Sequence, residues 1–326
     1  MQRIPVILDT DPGIDDAMAL FLLLRSPAVD LRAITTVYGN ASVATTTRNA
    51  CHLRRIFAAS TPVSRGASRP LTSAHDVAYP TAIHGVDGMG GEANAAFSEE
   101  LLDVRPAHEL ICDMVNAEPG KITLLAIGPL TNLALALRHD PGIASKVSQV
   151  VIMGGAFATQ GHGGNVTPVA EANIFNDPEA ADLVFTAAWP VVAVGLDVTQ
   201  QVVMSEDYLA GLQHRGGGAG DFLWQATREY QRHYQARDGI AGLYSHDASA
   251  AAFLIAPDAF TTRSGPLRTV TEGIARGQTI QADAAYGSVD SSPWAGCPSQ
   301  RVCVGVNAAK VLELFERAFD VEAAPG

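Results

Sequence analysis

Four aspartates fall within eight positions near the N-terminus: Asp9, Asp11, Asp15 and Asp16, in the run Val6-Ile7-Leu8-Asp9-Thr10-Asp11-Pro12-Gly13-Ile14-Asp15-Asp16. This run constrains the fold more than any other stretch. The apolar segment Ile4 to Leu8 before it reads as a buried strand. Pro12-Gly13 forces a turn, and Ala17 to Leu24 follows as an apolar helix. The carboxylates therefore sit at a strand's carboxyl end and in the first turn of the next helix, where open α/β sheets place their sites. Like charges so close repel unless something positive neutralises them, and clustered oxygens are how hard cations such as Ca²⁺ and Mg²⁺ are held. Asp15 and Asp16 can also be read as partners of the helix dipole, and Asp9 as a turn cap. That reading leaves Asp11 unexplained.

The same alternation continues. Leu31 to Val37, Ile122 to Ile127, Val147 to Met153 and Val191 to Leu196 read as strands, with a short one starting at Pro62-Val63. Ser42 to Ala59, Pro106 to Asn116, Leu130 to Arg138 and Pro178 to Thr186 read as helices. Asp177 is expected to cap the last of these before Pro178. Continuous apolar strands alternating with helices predict an α/β fold, a mostly parallel open sheet flanked by helices on both faces. No linker or internal repeat interrupts it, so residues 1–326 read as one domain. The Gly216–Gly220 run lacks the Lys-Ser/Thr ending of a phosphate loop and reads as a plain loop.

Composition narrows the function classes. Hydrophobic residues make up 47% of the 326, enough for a large core, while a net charge of −12 argues against nucleic acid or an anionic membrane as partner. No run approaches the roughly 18 apolar residues of a membrane helix. The N-terminus has no signal-peptide architecture. The four cysteines have no zinc-ligand spacing, so a reduced cytoplasmic protein with free thiols is expected.

Other strand ends carry polar residues that packing does not require: Asn40 after Gly39, then Gly128-Pro129-Leu130-Thr131-Asn132, where a backbone carbonyl could serve a metal, then Met153-Gly154-Gly155. Glu171 and Asn173, two apart, would share one side of an extended segment. Ser245-His246-Asp247 precedes another apolar helix. Taken alone, His246 fits a satisfied structural histidine as well as a catalyst, and Asp247 fits a helix cap. Together they supply the distal carboxylate that would complete an N-terminal metal site.

With His84-Gly85-Val86-Asp87-Gly88 added, these elements resemble the nucleoside hydrolases of the inosine-uridine-preferring type, in order and spacing along nearly the whole chain, most weakly after about Ala252. The resemblance implies hydrolysis of the N-glycosidic bond of ribonucleosides to free base and ribose. It implies Ca²⁺ held by Asp11, Asp16, the backbone carbonyl of Ile127, and Asp247, with a water activated by Asp11 as general base. It implies ribose contacts from Asp15, Asn40, Asn165, Glu171 and Asn173, with Met153 beside the sugar. His84 and His246 would lie around the base, His246 assisting its departure, with Tyr230 and Tyr234 as candidate contacts. A homo-oligomer, dimer or tetramer, is also implied. The chain departs from the family at Ala172, where relatives often carry an aromatic residue.

Two competing readings stand beside this one. Asp9-Thr10-Asp11 after an apolar strand is similar to the Asp-x-Asp of haloacid-dehalogenase-type phosphatases. Those enzymes expect a small residue or threonine soon after the motif, and Pro12-Gly13-Ile14-Asp15-Asp16 does not fit that pattern. A non-catalytic nucleoside- or ribosyl-binding relative is the other. Finally, Leu71 to Gly91 reads as a long polar loop, and it and Gly216–Gly239 are expected to act as lids over the base.

Overall fold

The computed structural model describes residues 3–72, 78–93, 102–215, 217–283 and 293–320. Twelve strands occur among them: β1 (Ile4–Thr10), β2 (Val29–Thr36), β3 (Val63–Arg65), β4 (Leu102–Asp103), β5 (Thr123–Ala126), β6 (Gln149–Met153), β7 (Val191–Val194), β8 (Val203–Ser205), β9 (Gly242–Tyr244), β10 (Phe260–Thr269), β11 (Thr279–Gln281) and β12 (Ser299–Val306). Ten form one sheet in the order β11-β10-β12-β7-β6-β5-β1-β2-β3-β4, and β8 pairs with β9 separately. All contacts from β4 to β12 are parallel, while β10 and β11 add an antiparallel edge. The predicted mostly parallel α/β sheet is therefore what forms.

The order decides where a site can lie. From β1 the chain winds outward through β2, β3 and β4, then returns to β5 on the other side of β1 and winds the opposite way. The carboxyl end of β1 is thus the point where the winding reverses, and helices leaving in opposite directions open a crevice there.

Strand parity sorts the side chains of β1. Val6 and Leu8 pack into one core layer, with the helix Ile14–Arg25, while Ile7 enters the other, with the helix Thr131–His139. The first helix is buried from Ile14 through Leu23 because it lies between the sheet and the helices Gly217–Asp238 and His246–Ile255. Phe21 anchors it against Phe57, Phe315 and Phe319, with ring centres 5.4, 6.2 and 4.5 Å away. Burying such a ring stabilises by roughly 1.5–3 kcal/mol.

Two expectations are corrected. Gly217–Gly220 is not a loop but the first turn of the helix Gly217–Asp238; Gly216 lies outside the described residues. Ala219 and Gly220 are buried there, and a Cβ on Gly220 would stand 2.7 Å from the Gln213 carbonyl, so close packing selects the glycine. The 71–91 segment carries a short helix, Thr81–His84, and its residues 73–77 lie outside the described residues. Asp177 caps the helix Pro178–Thr186, accepting from the Ala180 amide at 3.1 Å, as its place before proline predicts. All four cysteines are free thiols. Among the described residues no helix is long and apolar enough to cross a membrane.

Candidate active site

The site is built where β1, β2, β5 and β6 end. Asp9 is still within β1 and on the Ile7 face, so it points away from the crevice. It is not a turn cap: its Oδ1 accepts from Thr35 Oγ1 at 2.6 Å and from Asn132 Nδ2 at 2.7 Å. Asn132 also donates to the Thr36 carbonyl and accepts from the Ala67 amide, which ties the start of its helix to β1, β2 and the chain beyond β3. Burial raises the Asp9 carboxyl to about 7 despite these donors.

Asp11 lies past the strand end, where parity no longer holds. Its Oδ2 accepts from the Asn40 amide at 2.7 Å, and its Oδ1 is buried with no partner. A Cβ on Gly39 would come 2.0 Å from Asp11 Oδ2, and one on Gly128 would come 2.5 Å from Oδ1. The glycines at the ends of β2 and β5 are thus required for this carboxylate to sit between them. Asp16, in the first turn of its helix, is held by Thr10 Oγ1 at 2.5 Å, the Gly13 amide at 2.9 Å and Asn40 Nδ2 at 3.0 Å. Asp15 accepts from Tyr230 Oη at 3.2 Å through Oδ2, and its Oδ1 is unpartnered and buried. Asp15, Asp16 and Asp247 each offer an oxygen within 4.8 Å of the others. The N-cap of the helix His246–Ile255 is Ser245, so Asp247 stands inside its first turn, not at the cap.

Burial raises all four carboxyls, and repulsion from neighbouring acids adds to the shift of Asp11, Asp16 and Asp247. Asp11 and Asp247 are held well above the ordinary range, Asp15 and Asp16 at about 6. A buried anionic cluster is stable only with positive charge or protons in it.

Above the acids lies a cavity of about 500 Å³. Twelve residues singled out from the sequence line it: Asp15, Asn40, His84, Ile127, Met153, Asn165, Glu171, Asn173, Tyr230, Tyr234, His246 and Asp247. Asp11 and Asp16 do not reach its wall. Glu171 and Asn173 are not in an extended segment. Glu171 caps the short helix Ala172–Asn176 through the amides of Asn173 and Ile174, and its Oε2 also accepts from Gly155 at 3.0 Å. Asn165 Oδ1 accepts from the Ala172 amide, and Asn173 Nδ2 donates to the carbonyls of Ile127 and Met153 at 2.9 and 3.1 Å. A helical turn at these positions lets Glu171 serve backbone amides while Asn173 reaches two strand ends.

The aromatic wall comes from the helix Gly217–Asp238. Tyr230 and Tyr234 are one turn apart and both buried. Tyr230 donates to Asp15, and Tyr234 donates to Tyr230 at 3.1 Å. Tyr234 Oη is 2.8 Å from His246 Nε2, and Thr199 Oγ1 is 2.8 Å from His246 Nδ1. Since the Tyr234 hydrogen is spent on Tyr230, its oxygen accepts, which assigns the hydrogen of His246 to Nε2 and makes Nδ1 the acceptor from Thr199. Burial pushes His246 down to about 3 and His84 to about 4, so both imidazoles are neutral at pH 7. His84 Nδ1 accepts from the Ile14 amide at 3.3 Å, and its ring lies 5.4 Å from Tyr230. Phe222 is core, against His52 and Phe57, and Trp224 packs under Arg228 outside the cavity.

Sequence reasoning missed Thr199, which donates to His246 Nδ1, and Phe175, Arg237 and Arg276, which line the cavity. Arg276 stacks over Phe175 at 5.2 Å and donates to its carbonyl. It follows β10, a strand that the sequence pattern did not disclose, so no signal placed it here. Ala172 lines the wall as well and leaves Phe175, one turn on, as the nearest aromatic of that helix.

The family model of the inosine-uridine preferring nucleoside hydrolases matches residues 6–313. The chain is 37% identical over 314 residues to "Probable uridine nucleosidase 2" of Arabidopsis thaliana, covering 96% of each protein. It is 41% identical over 273 residues to "Non-specific ribonucleoside hydrolase RihC" of Escherichia coli, covering 83% of this chain and 85% of that one. Among solved structures it superposes on "Plant nucleoside hydrolase - PpNRh1 enzyme" with a TM-score of 0.92 at 37% identity, over 99% of this chain and 100% of the other. The chain belongs to the inosine-uridine preferring nucleoside hydrolases.

Proposed function

We propose that this nucleoside hydrolase is Ca²⁺-dependent, cleaving the N-glycosidic bond of ribonucleosides with Asp11 as general base and His246 beside the leaving base. The observation that carries the reading is the buried group Asp11, Asp15, Asp16 and Asp247, two of whose oxygens have no partner. Those residues fit a hard cation. The groups proposed to hold it, Asp11, Asp16, Asp247 and the Ile127 carbonyl, offer only oxygen atoms, as a hard cation requires. When bound there, the cation supplies the positive charge the cluster lacks and makes a nearby water more acidic.

The chain's own groups supply the rest. Asp11 Oδ1, unpartnered and aimed past Gly128, accepts the proton of the attacking water. Asp15, Asn40, Asn165, Glu171 and Asn173 surround the sugar's place, and Met153 packs beside it. As the bond to the base stretches, the ribose gains oxocarbenium character, and carboxylates beneath it stabilise that charge. His246 donates its Nε2 hydrogen to Tyr234, Tyr234 donates to Tyr230 and Tyr230 to Asp15, so the departing base meets a chain of hydroxyl and imidazole hydrogens that it takes over by displacing one of these internal bonds. Tyr230 and Tyr234 exclude water from that side.

Free thiols support a reducing, cytoplasmic setting in nucleoside salvage or catabolism, and the resemblance supports a dimer or tetramer, which light scattering measures. Family membership leaves no support for the phosphatase reading. The deciding experiment is ribose release from a ribonucleoside panel, uridine first, with and without chelator, for the wild type and Asp11→Asn. A loss of roughly 10²–10⁴ in kcat for Asp11→Asn with the cation still bound is expected. No ribose release from any nucleoside would leave only the binding-protein reading, and near-wild-type turnover by Asp11→Asn would remove the general-base role.

A further inference from the structure

A second group of metal-ligating atoms lies away from the cavity. His108 and Glu109 stand in the first turn of the helix Ala107–Ala117, and His139 ends the helix Thr131–His139, which packs against it. One ligand atom from each of the three lies within 4.8 Å of the others. The two imidazole rings are 5.6 Å apart and inclined at 71°, so neither ring stacks over the other's nitrogens. His108 and Glu109 are half-buried and His139 is exposed, which leaves the group open to solvent on one side. Among the described residues, none of these side chains makes a hydrogen bond or ion pair within the protein, so a metal would displace only water. None of the three lines the cavity.

We propose that His108, Glu109 and His139 form a surface site for a first-row transition ion, Zn²⁺ foremost, that clips the two helices together. The chemistry separates it from the aspartate cluster. Two imidazole nitrogens and one carboxylate are a borderline donor set that favours Zn²⁺, Ni²⁺ or Cu²⁺ over Ca²⁺. Three protein ligands leave a fourth tetrahedral position to water on the exposed side. The ligands come from two helices whose faces are already fixed by buried Leu110, Ile111, Leu133 and Leu137, so ordering the site takes only side-chain rotations. Neither histidine has a place in the proposed reaction, and the site's effect is on the stability of the helix pair.

The test uses untagged protein in excess Ca²⁺, so that the aspartate cluster does not compete for Zn²⁺. Calorimetric titration with ZnCl₂ is expected to show one equivalent bound with micromolar Kd, lost in His108→Ala and in His139→Ala and weakened at least tenfold in Glu109→Gln. All three variants keep wild-type nucleoside hydrolysis without Zn²⁺, which shows that they are folded. Zn²⁺ should raise the Tm of the wild type and leave that of the histidine variants unmoved. Absence of binding at about 100 µM Zn²⁺, an equal equivalent in both histidine variants, or anomalous scattering that places the ion elsewhere would overturn the assignment.

Discussion

Removing the cation should make stability fall with rising pH in a range where most proteins are insensitive. In the cation-free protein, Asp15 and Asp16 are held at about 6, against 3.8 for an ordinary aspartate, with burial the largest cause for both and the charge of Asp15 adding to the shift of Asp16. Asp11 and Asp247 are raised further. A carboxyl whose folded pKa lies above its unfolded value binds more protons in the native state. Its contribution is therefore present at low pH and is lost as pH rises from about 4 through about 6. From pH 5 to 7.5 that loss is about 1.4 kcal/mol for each of Asp15 and Asp16, about 3 kcal/mol together, and Asp11 and Asp247 add to it. At roughly 2 °C per kcal/mol for a chain of this size, the Tm should drop by about 6 °C or more. A bound cation replaces the protons, so the gain in Tm on adding Ca²⁺ should grow over the same interval. The assay is a set of thermal melts in chelator and in about 1 mM Ca²⁺ from pH 5 to 7.5. A chelated Tm that stays flat or rises with pH, or a Ca²⁺ gain that shrinks, would refute the argument that a bound cation neutralises this acid cluster.

His246→Ala removes the Nε2 hydrogen that heads the chain through Tyr234 and Tyr230, so kcat on uridine or inosine should fall by about 10²-fold or more while p-nitrophenyl riboside, whose leaving group needs little help, loses far less; equal losses would reduce His246 to positioning. Asn132→Ala leaves the Thr36 carbonyl and the Ala67 amide unpaired and takes one of two donors from buried Asp9. Chemical denaturation should show a loss on the order of 3 kcal/mol, and a loss below about 1 kcal/mol would mean that the network relaxes. Residues 78–91 and 217–239 should gain hydrogen-exchange protection on binding a ribose-like inhibitor if they close over the base, and unchanged protection in both would rule them out as lids.

Much of this molecule is legible in its sequence because its signals are local. The apolar strand running into Asp-Thr-Asp-Pro-Gly announces a strand, a turn and a helix start within one short stretch, and each step is a short-range preference. The parallel strands β1, β5, β6 and β7 are buried along most of their length and so read as apolar runs, and β2, which carries Asp30 and Arg32 in its half-buried first half, reads as a strand from Leu31 on. Strand β10, Phe260–Thr269, escaped because it lies near the sheet's antiparallel edge, is partly exposed and contains Gly265 and Pro266. Gly217–Gly220 misled because clustered glycines say turn, while at Gly220 the nearby Gln213 carbonyl selects glycine inside a helix.

Residue identity and spacing determined that acids, amides and histidines gather at strand ends. Tertiary structure decided what each one does there. Asp9 and Asp11 are two positions apart with the same chemistry, yet strand parity buries Asp9 against Asn132, while leaving the strand frees Asp11 to sit between Gly39 and Gly128 with one oxygen unclaimed. Thr199, Tyr234 and His246 come from three separate segments, and only their packing sets which imidazole nitrogen carries the hydrogen. The physical reason is that a side chain's partners are fixed by where chain segments meet across the sheet, and a single sequence records the segments but not their meeting.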